Sequence, residues 1–208
     1  LEKMRRACAI SAAALKAGGA AIEPGISTAE IDKIIYDFIV RHGARPNFLH
    51  LYGFPATACI SVNDTVIHGI PSHSQKIRPG DIVSIDTGCK IDGFNGDNAC
   101  TYGCGKLDLE AQRLLDVTRE SLHRARIGDI GHAVQSYVEE NGFSVVRAFV
   151  GHGVGKELHE DPEVPNYGHP GRGPRLVPGM CIAIEPMVNQ YKYDVKTLGD
   201  GWTVKTCD

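Results

Sequence analysis

One pattern occurs twice in this chain, 99 residues apart, and it limits the folds available. Pro79-Gly80-Asp81-Ile82-Val83-Ser84-Ile85-Asp86 is matched by Pro178-Gly179-Met180-Cys181-Ile182-Ala183-Ile184-Glu185. Each copy is a Pro-Gly turn, an apolar run and a terminal acid. Two helical patterns keep the same offset. Ser27-Thr28-Ala29-Glu30 has the spacing of a capping box, and behind it Ile31, Ile34, Ile35, Phe38 and Ile39 fall on one helical face that Gly43 ends. Ile130, Val134, Tyr137 and Val138 repeat that face after Asp129, and Gly142 ends it. A repeat of strands and helices together implies two related halves packed about a pseudo-twofold axis, each with helices and part of an antiparallel sheet. The expectation is one α/β (α+β) domain over 1–208, with halves of about 1–105 and 106–208.

The repeat has a chemical consequence. Asp86 and Glu185 end equivalent apolar strands, so facing halves bring both acids toward the axis. Two carboxylates in an apolar setting repel one another and are costly to desolvate, and a bound cation removes that cost. Asp97 follows on the return arm of a hairpin turning at Asp92-Gly93. Pairing around that turn predicts Asp86 and Asp97 side by side, within about 5.5 Å. Adjacent aspartates suit a bridged two-metal site, although an Asp-Asn pair capping a turn explains Asp97 taken alone.

Strands are predicted at Ala58–Val62, Asp81–Thr87, Ala99–Tyr102, Ser144–Val150 and Met180–Glu185. A further helix is predicted from Leu109 to about Ala125, capped by Asp108. Hydrophobic residues make up 42% of the chain and charged residues 23%, with a formal net charge of −3. That balance suits a soluble globular domain and lacks the basic excess of a nucleic-acid binder. Seven cysteines include no Cys-x-x-Cys pair, which argues against a zinc ribbon and for reduced thiols in a cytoplasmic setting. Cys100 and Cys104 read as two core thiols. Arg5-Arg6 before Ala7–Leu15 imitates a signal peptide, but Lys16 interrupts the run and Gly18-Gly19 end it as they would a helix. No stretch is long and apolar enough to span a membrane.

Three histidines sit beside glycines or acids: His68 in Val66-Ile67-His68-Gly69-Ile70-Pro71, His152 in Gly151-His152-Gly153-Val154-Gly155, and His159 in Leu158-His159-Glu160. Glycines allow backbone and ligand to approach the ring closely. The glycine-flanked His152 could pass for a weak phosphate loop, but the Lys-Ser/Thr of a P-loop is missing. These runs resemble the type I methionine aminopeptidases, together with Cys59-Ile60-Ser61-Val62-Asn63, Ser84-Ile85-Asp86, Gly96-Asp97, Ile184-Glu185-Pro186-Met187 and Asp200-Gly201-Trp202-Thr203-Val204. The likeness covers nearly the whole chain.

That resemblance implies the pita-bread fold and two divalent metal ions, with cobalt, manganese, iron or zinc all suited to the donors. It implies metal ligation by Asp86, Asp97, His152 and Glu185, and a catalytic and substrate-binding role for His68 and His159. Cys59, Leu158 and Trp202 by resemblance, with Tyr52 and Phe54, are expected to form an apolar pocket for methionine. The implied activity is removal of an N-terminal methionine from peptides and nascent proteins when the next residue is small. The nascent chain is then the partner, the ribosome is a candidate one, and neither membrane nor nucleic acid is expected to bind. A proline-directed relative of the aminopeptidase P or prolidase type and a non-catalytic binding protein on the same fold are the alternatives. The family carries a fifth ligand, a bridging glutamate, beyond the Trp202 stretch. The sequence stops at Asp208 before it, so a C-terminal segment is expected to be missing. Asn98 departs from the family's usual Thr or Ser.

Overall fold

The computed structural model describes residues 1–124 and 130–208. Its first half is built on one sheet. Helices α1 (Glu2–Ala20) and α2 (Thr28–Arg41) precede β1 (Arg45–Pro46), β2 (Ala58–Val62), β3 (Thr65–Ile67), β4 (Ile82–Ile91) and β5 (Phe94–Gly103). The ten-residue β4 is the spine. It pairs along its length with β5, and its other edge carries β2 and then β1, all antiparallel. The capping box forms as predicted: Ser27 Oγ accepts from the Glu30 amide at 3.2 Å, and Glu30 Oε2 accepts from the Ser27 amide at 2.8 Å.

Period-two alternation divides the two faces of β4. Val83, Ile85, Cys89 and Ile91 turn into a core with Ile31, Ile35 and Ile39 of α2 and Ala7, Ala14 and Leu15 of α1. The alternate positions, Ser84, Asp86 and Gly88, face the other way. Helix α1 lies directly on β4 and β5, held by Ser11 Oγ donating to the Thr87 carbonyl at 2.9 Å and Cys89 Sγ to the Ala7 carbonyl at 3.4 Å. The approach is so close that a Cβ at Gly96 would overlap the backbone of Ala7 and Cys8. Asp32 of α2 ties the helix layer to β2: its Oδ1 accepts the amides of Thr57 and Ala58 at 3.0 and 2.8 Å.

The second half holds α3 (Leu109–Arg124), α4 (Ile130–Glu140), β6 (Ser144–Val145), β7 (Gly151–Gly153), β8 (Glu160–Val164), β9 (Val188–Asn189), β10 (Val195–Thr197) and β11 (Val204–Thr206). Val117, Val134, Val138, Phe143 and Val145 form its core. Asp108 caps α3 through the Ala111 amide at 2.7 Å. The predicted cap Asp129 and the predicted helix end at Ala125 lie outside the described residues. Strand β11 joins the halves by pairing with β3.

The structure departs from several expectations. First, Asp86 and Asp97 are not directly opposite: Asp86 pairs with Ala99 and Asp97 with Gly88. They are diagonal neighbours on one face, because the turn at Asp92-Gly93 brings Ile91 opposite Phe94. Second, Met180–Glu185 is not a buried strand. It runs extended with one partner edge, through the Val154 amide to the Cys181 carbonyl and the Ala183 amide to the His152 carbonyl, and its residues are at most half-buried. Third, Ser144–Val150 is strand only at Ser144–Val145. Of the two predicted core thiols, Cys104 is buried and Cys100 exposed. No described helix is long and apolar enough to cross a membrane.

Two predictions follow from this packing. Gly96→Ala forces α1 off the hairpin and is expected to lower stability by about 1–3 kcal/mol, read from the urea midpoint; an unchanged midpoint contradicts the close contact. Burial raises the Asp32 carboxyl above its ordinary value, against the two amide bonds that favour its charged form. The folded state therefore binds that proton more tightly than the unfolded chain. The penalty is absent below the unfolded value near pH 3.8 and fully present above the folded one. Asp32→Asn keeps an acceptor for both amides and removes the charge. Its melting temperature should equal or exceed that of the parent at neutral pH, with the difference vanishing as pH falls; a lower value at neutral pH would show that the charge stabilises.

Candidate metal centre

A cavity of about 790 Å³ opens on the sheet face away from the helices. Asp86, Asp97, His152 and Glu185 meet at its inner end, and His68 and His159 line it as well. All six chemistry-bearing residues predicted from the sequence are therefore brought together.

Each is fixed by its local fold. Asp86 and Asp97 stand on the rigid hairpin of β4 and β5. His152 lies on β7, where glycines on both sides permit a backbone contact that a Cβ would block: at Gly151 with the Ala183 carbonyl, at Gly153 with that of Asp161. The Glu185 backbone is held by Asn166, whose Nδ2 donates to its carbonyl at 2.7 Å. His68 adopts a left-handed conformation, φ 56°. The next residue, Gly69, packs on β2, donating to Ser61 Oγ at 3.1 Å and accepting from the Ile60 amide at 2.8 Å.

His152 has a defined donor pattern. Its Nδ1 is 2.7 Å from the Gly153 carbonyl, which can only accept, so Nδ1 carries the proton. Nε2 is thereby turned toward the acids, 3.2 Å from Glu185 Oε1 and 3.7 Å from Asp97 Oδ2. The Asp97 side chain is 9% exposed and that of Glu185 31%. Burial, then the charges of Asp97 and Glu185, push the Asp86 carboxyl well above the usual range. Burial and Glu185 push Asp97 up to about 7, against the pull of His152. For His152, desolvation works against the charged ring, but Glu185, the Gly153 carbonyl and Asp97 outweigh it and the net shift is upward. His68 and His159 are both lowered, chiefly by desolvation.

Among the described residues, no three His, Cys, Asp or Glu side chains enclose a common point as an ion would require. The donors nevertheless fit a divalent cation. Glu185 Oε1 is buried without a hydrogen bond, the His152 ring being near but not aligned with it. Three carboxylates line one cavity with an imidazole whose Nε2 is free to ligate. Oxygen-rich donors with a single nitrogen suit manganese, iron, cobalt or zinc.

The rest of the cavity is apolar. Phe54 meets Trp202 edge-on at 5.2 Å, and His68 stands edge-on to Trp202 at 6.3 Å and Phe149 at 5.7 Å. Trp202 is set by a turn in which Asp200 Oδ1 accepts the amides of Trp202 and Thr203 at 2.9 and 2.8 Å. Cys59 lines the wall, and Tyr52, 80% exposed, sits at the rim. Leu158 does not line the cavity: it is buried behind the wall against Phe48, Phe54, Ala56 and Cys59, because His159, its neighbour, takes the cavity side. Phe48, Phe149 and Met187 also line the space. Phe48 belongs to the aromatic stretch ending at Phe54, which signals it; Met187 closes the Ile184-Glu185-Pro186-Met187 run, and Phe149 carries no such signal.

Residues 2–206 match metallopeptidase family M24. A methionine aminopeptidase of Clostridium perfringens is 52% identical over all of this chain and 86% of its own length. The crystal structure of a methionine aminopeptidase from Thermotoga maritima superposes with a TM-score of 0.96 at 41% identity, over all of this chain and 86% of the other. A prolidase from Pyrococcus furiosus is more distant, at a TM-score of 0.77 and 25% identity over 91% of this chain and 57% of the other. The architecture is thus the pita-bread fold, and the divalent-metal dependence of such enzymes accords with the donors gathered in the cavity. By sequence, fold and the grouping of its acids and histidines, the chain belongs to metallopeptidase family M24, among the methionine aminopeptidases.

Proposed function

We propose that this chain removes N-terminal methionine from peptides and nascent proteins whose next residue is small. The observation that carries the reading is one cavity with two unlike ends: a half-buried set of three acids and His152, and an apolar wall of Phe54, Cys59 and Trp202. On this reading residues 1–208 act as one catalytic domain. A half of about 1–105 supplies Asp86 and Asp97, and a half of about 106–208 supplies His152 and Glu185.

Asp86, Asp97, His152 and Glu185 would hold two divalent metal ions, of manganese, iron, cobalt or zinc. When bound, such ions supply a water of lowered pKa and polarise the scissile carbonyl. The chain's own residues do the rest. The aromatic wall accepts an unbranched thioether side chain, which adapts to an irregular apolar space. His159, edge-on to His152 at 4.4 Å, and His68 have ring pKa values lowered by desolvation. A neutral ring there can donate one hydrogen bond to the oxygen that gains charge in the transition state. Trp202 and Phe149 hold His68 from two sides. The proline-directed alternative has the weaker likeness, and the assembled donors speak against a binding protein that has lost its metal.

Release of free methionine from a Met-Ala-Ser peptide with added MnCl2 tests the reading, with an Xaa-Pro peptide as the comparison. Preferential turnover of the Xaa-Pro substrate would transfer the assignment to the proline-directed class. Asp97→Asn should lose both turnover and bound manganese; parental metal content in that variant would remove Asp97 from the ligands. His159→Ala should keep its metal while kcat falls by the equivalent of roughly 2.7–4 kcal/mol. Loss of metal together with rate would instead make His159 a ligand.

A further inference from the structure

We propose that Asn95 is a positioning residue, which sets the spacing between Asp97 and His152 by latching the β4–β5 hairpin to the turn after β7. This inference rests on the metallopeptidase reading above.

Asn95 is 2% exposed and lies on β5, two residues before Asp97. Its side-chain amide donates to two carbonyls of the other half, Gly155 at 2.9 Å and Lys156 at 2.8 Å. Its backbone amide adds a third bond, to the Gly155 carbonyl at 2.9 Å. Gly155 and Lys156 follow His152 by only three and four residues. A short circuit therefore closes: from Asp97 along the strand to Asn95, across to Gly155, back through Val154 and Gly153 to His152, and over 3.7 Å from Nε2 to Asp97 Oδ2.

The turn that receives the latch is itself rigid. The Val154 amide donates to the Cys181 carbonyl at 3.0 Å, and the Gly155 amide to the Glu157 carbonyl at 3.0 Å. The Glu157 amide donates to Glu160 Oε1 at 2.9 Å, and Glu160 packs so close that a Cβ at Gly155 would lie 2.9 Å from its carboxylate. Lys90, the cross-strand partner of Asn95, places its Nζ 2.6 Å from the same Lys156 carbonyl. A displacement of the turn is therefore transmitted to His152 rather than absorbed.

The chemistry selects an amide at this position. Two carbonyl oxygens need two donors, and a carboxamide NH2 has two. An aspartate of the same size would face both carbonyls with acceptors only. Side chains that orient ligands without touching the metal typically change affinity by about 10–100-fold when removed.

The test uses Asn95→Ala, Asn95→Asp and Asn95→Ser in the otherwise intact protein, with two readouts: Mn2+ affinity by titration calorimetry, and amide hydrogen exchange over 153–157. Asn95→Ala and Asn95→Asp should bind Mn2+ about 10–100-fold more weakly. Exchange over 153–157 should be faster, and kcat for a methionine peptide should fall with KM little changed, since Phe54 and Trp202 are not moved. Asn95→Ser, which keeps one donor, should lie between, and it serves where the harsher variants fail to fold. Parental Mn2+ affinity in Asn95→Ala and Asn95→Asp, with only a lower melting temperature, would reduce Asn95 to a packing role and overturn the proposal. If the parent takes up no Mn2+, the proposed metal site fails, and exchange then decides the latch alone: unchanged rates over 153–157 overturn it, faster rates uphold it.

Discussion

The repulsion among Asp86, Asp97 and Glu185 is the constraint around which the molecule is arranged. Burial raises the proton affinity of Asp86 and Asp97, and the negative charge of Glu185 beside them raises it further. Such a grouping has a cost that an ordinary core avoids. It persists because strong packing elsewhere holds the backbones that carry it. Asp86 shares β4 with Val83, Ile85 and Cys89, which are wholly buried against α1 and α2. Period-two alternation means that the same residues which drive those side chains into the core drive Asp86 to the opposite face. The acid cannot move to the other face of the sheet without pulling the core apart.

Glycine is the second requirement, and at two positions it is a matter of space. The α1 backbone rests on Gly96, directly before Asp97, and the Ala183 carbonyl rests on Gly151, directly before His152. In each case the residue next to a proposed ligand has no side chain, so another segment can brace the ligand's backbone from behind. Rigid support of this kind keeps carboxylates together against their repulsion, and a site must be held this way if its donors are to be ready for a cation.

The repeat is legible because it combines two independent periodicities, and it points to Asp86 and Glu185, which line one cavity. The helix signals were equally local: the capping box at Ser27 and the stop at Gly43 depend on neighbouring residues alone. What failed depended on partners distant in sequence. The register that makes Asp86 and Asp97 diagonal is set by the turn geometry at Asp92-Gly93, which sequence spacing constrains only to within a residue or two. Met180–Glu185 has the composition of a buried strand, but composition does not report how many edges are paired. Leu158 is placed in the pocket by resemblance alone, and its burial against Phe48, Phe54, Ala56 and Cys59 depends on residues about 100 positions away in the chain. Asn95 carried no signal at all, since its two acceptors lie about 60 residues away and are backbone atoms of residues whose side chains are irrelevant to the contact.

The joining of polar and apolar chemistry in one cavity also follows from register. Across the sheet, Cys59 of β2, Asp86 of β4 and Ala99 of β5 stand in one row. The row passes from the apolar wall to the acid cluster within a single strand spacing. A thiol so near an acid is kept protonated: burial, and then the Asp86 charge, raise Cys59 well above its ordinary value. It therefore behaves as a small apolar side chain rather than a nucleophile or a competing soft ligand. The two neighbours thus divide the row between them: the acids offer a site for cations, and burial keeps inert the thiol that shapes the pocket beside them.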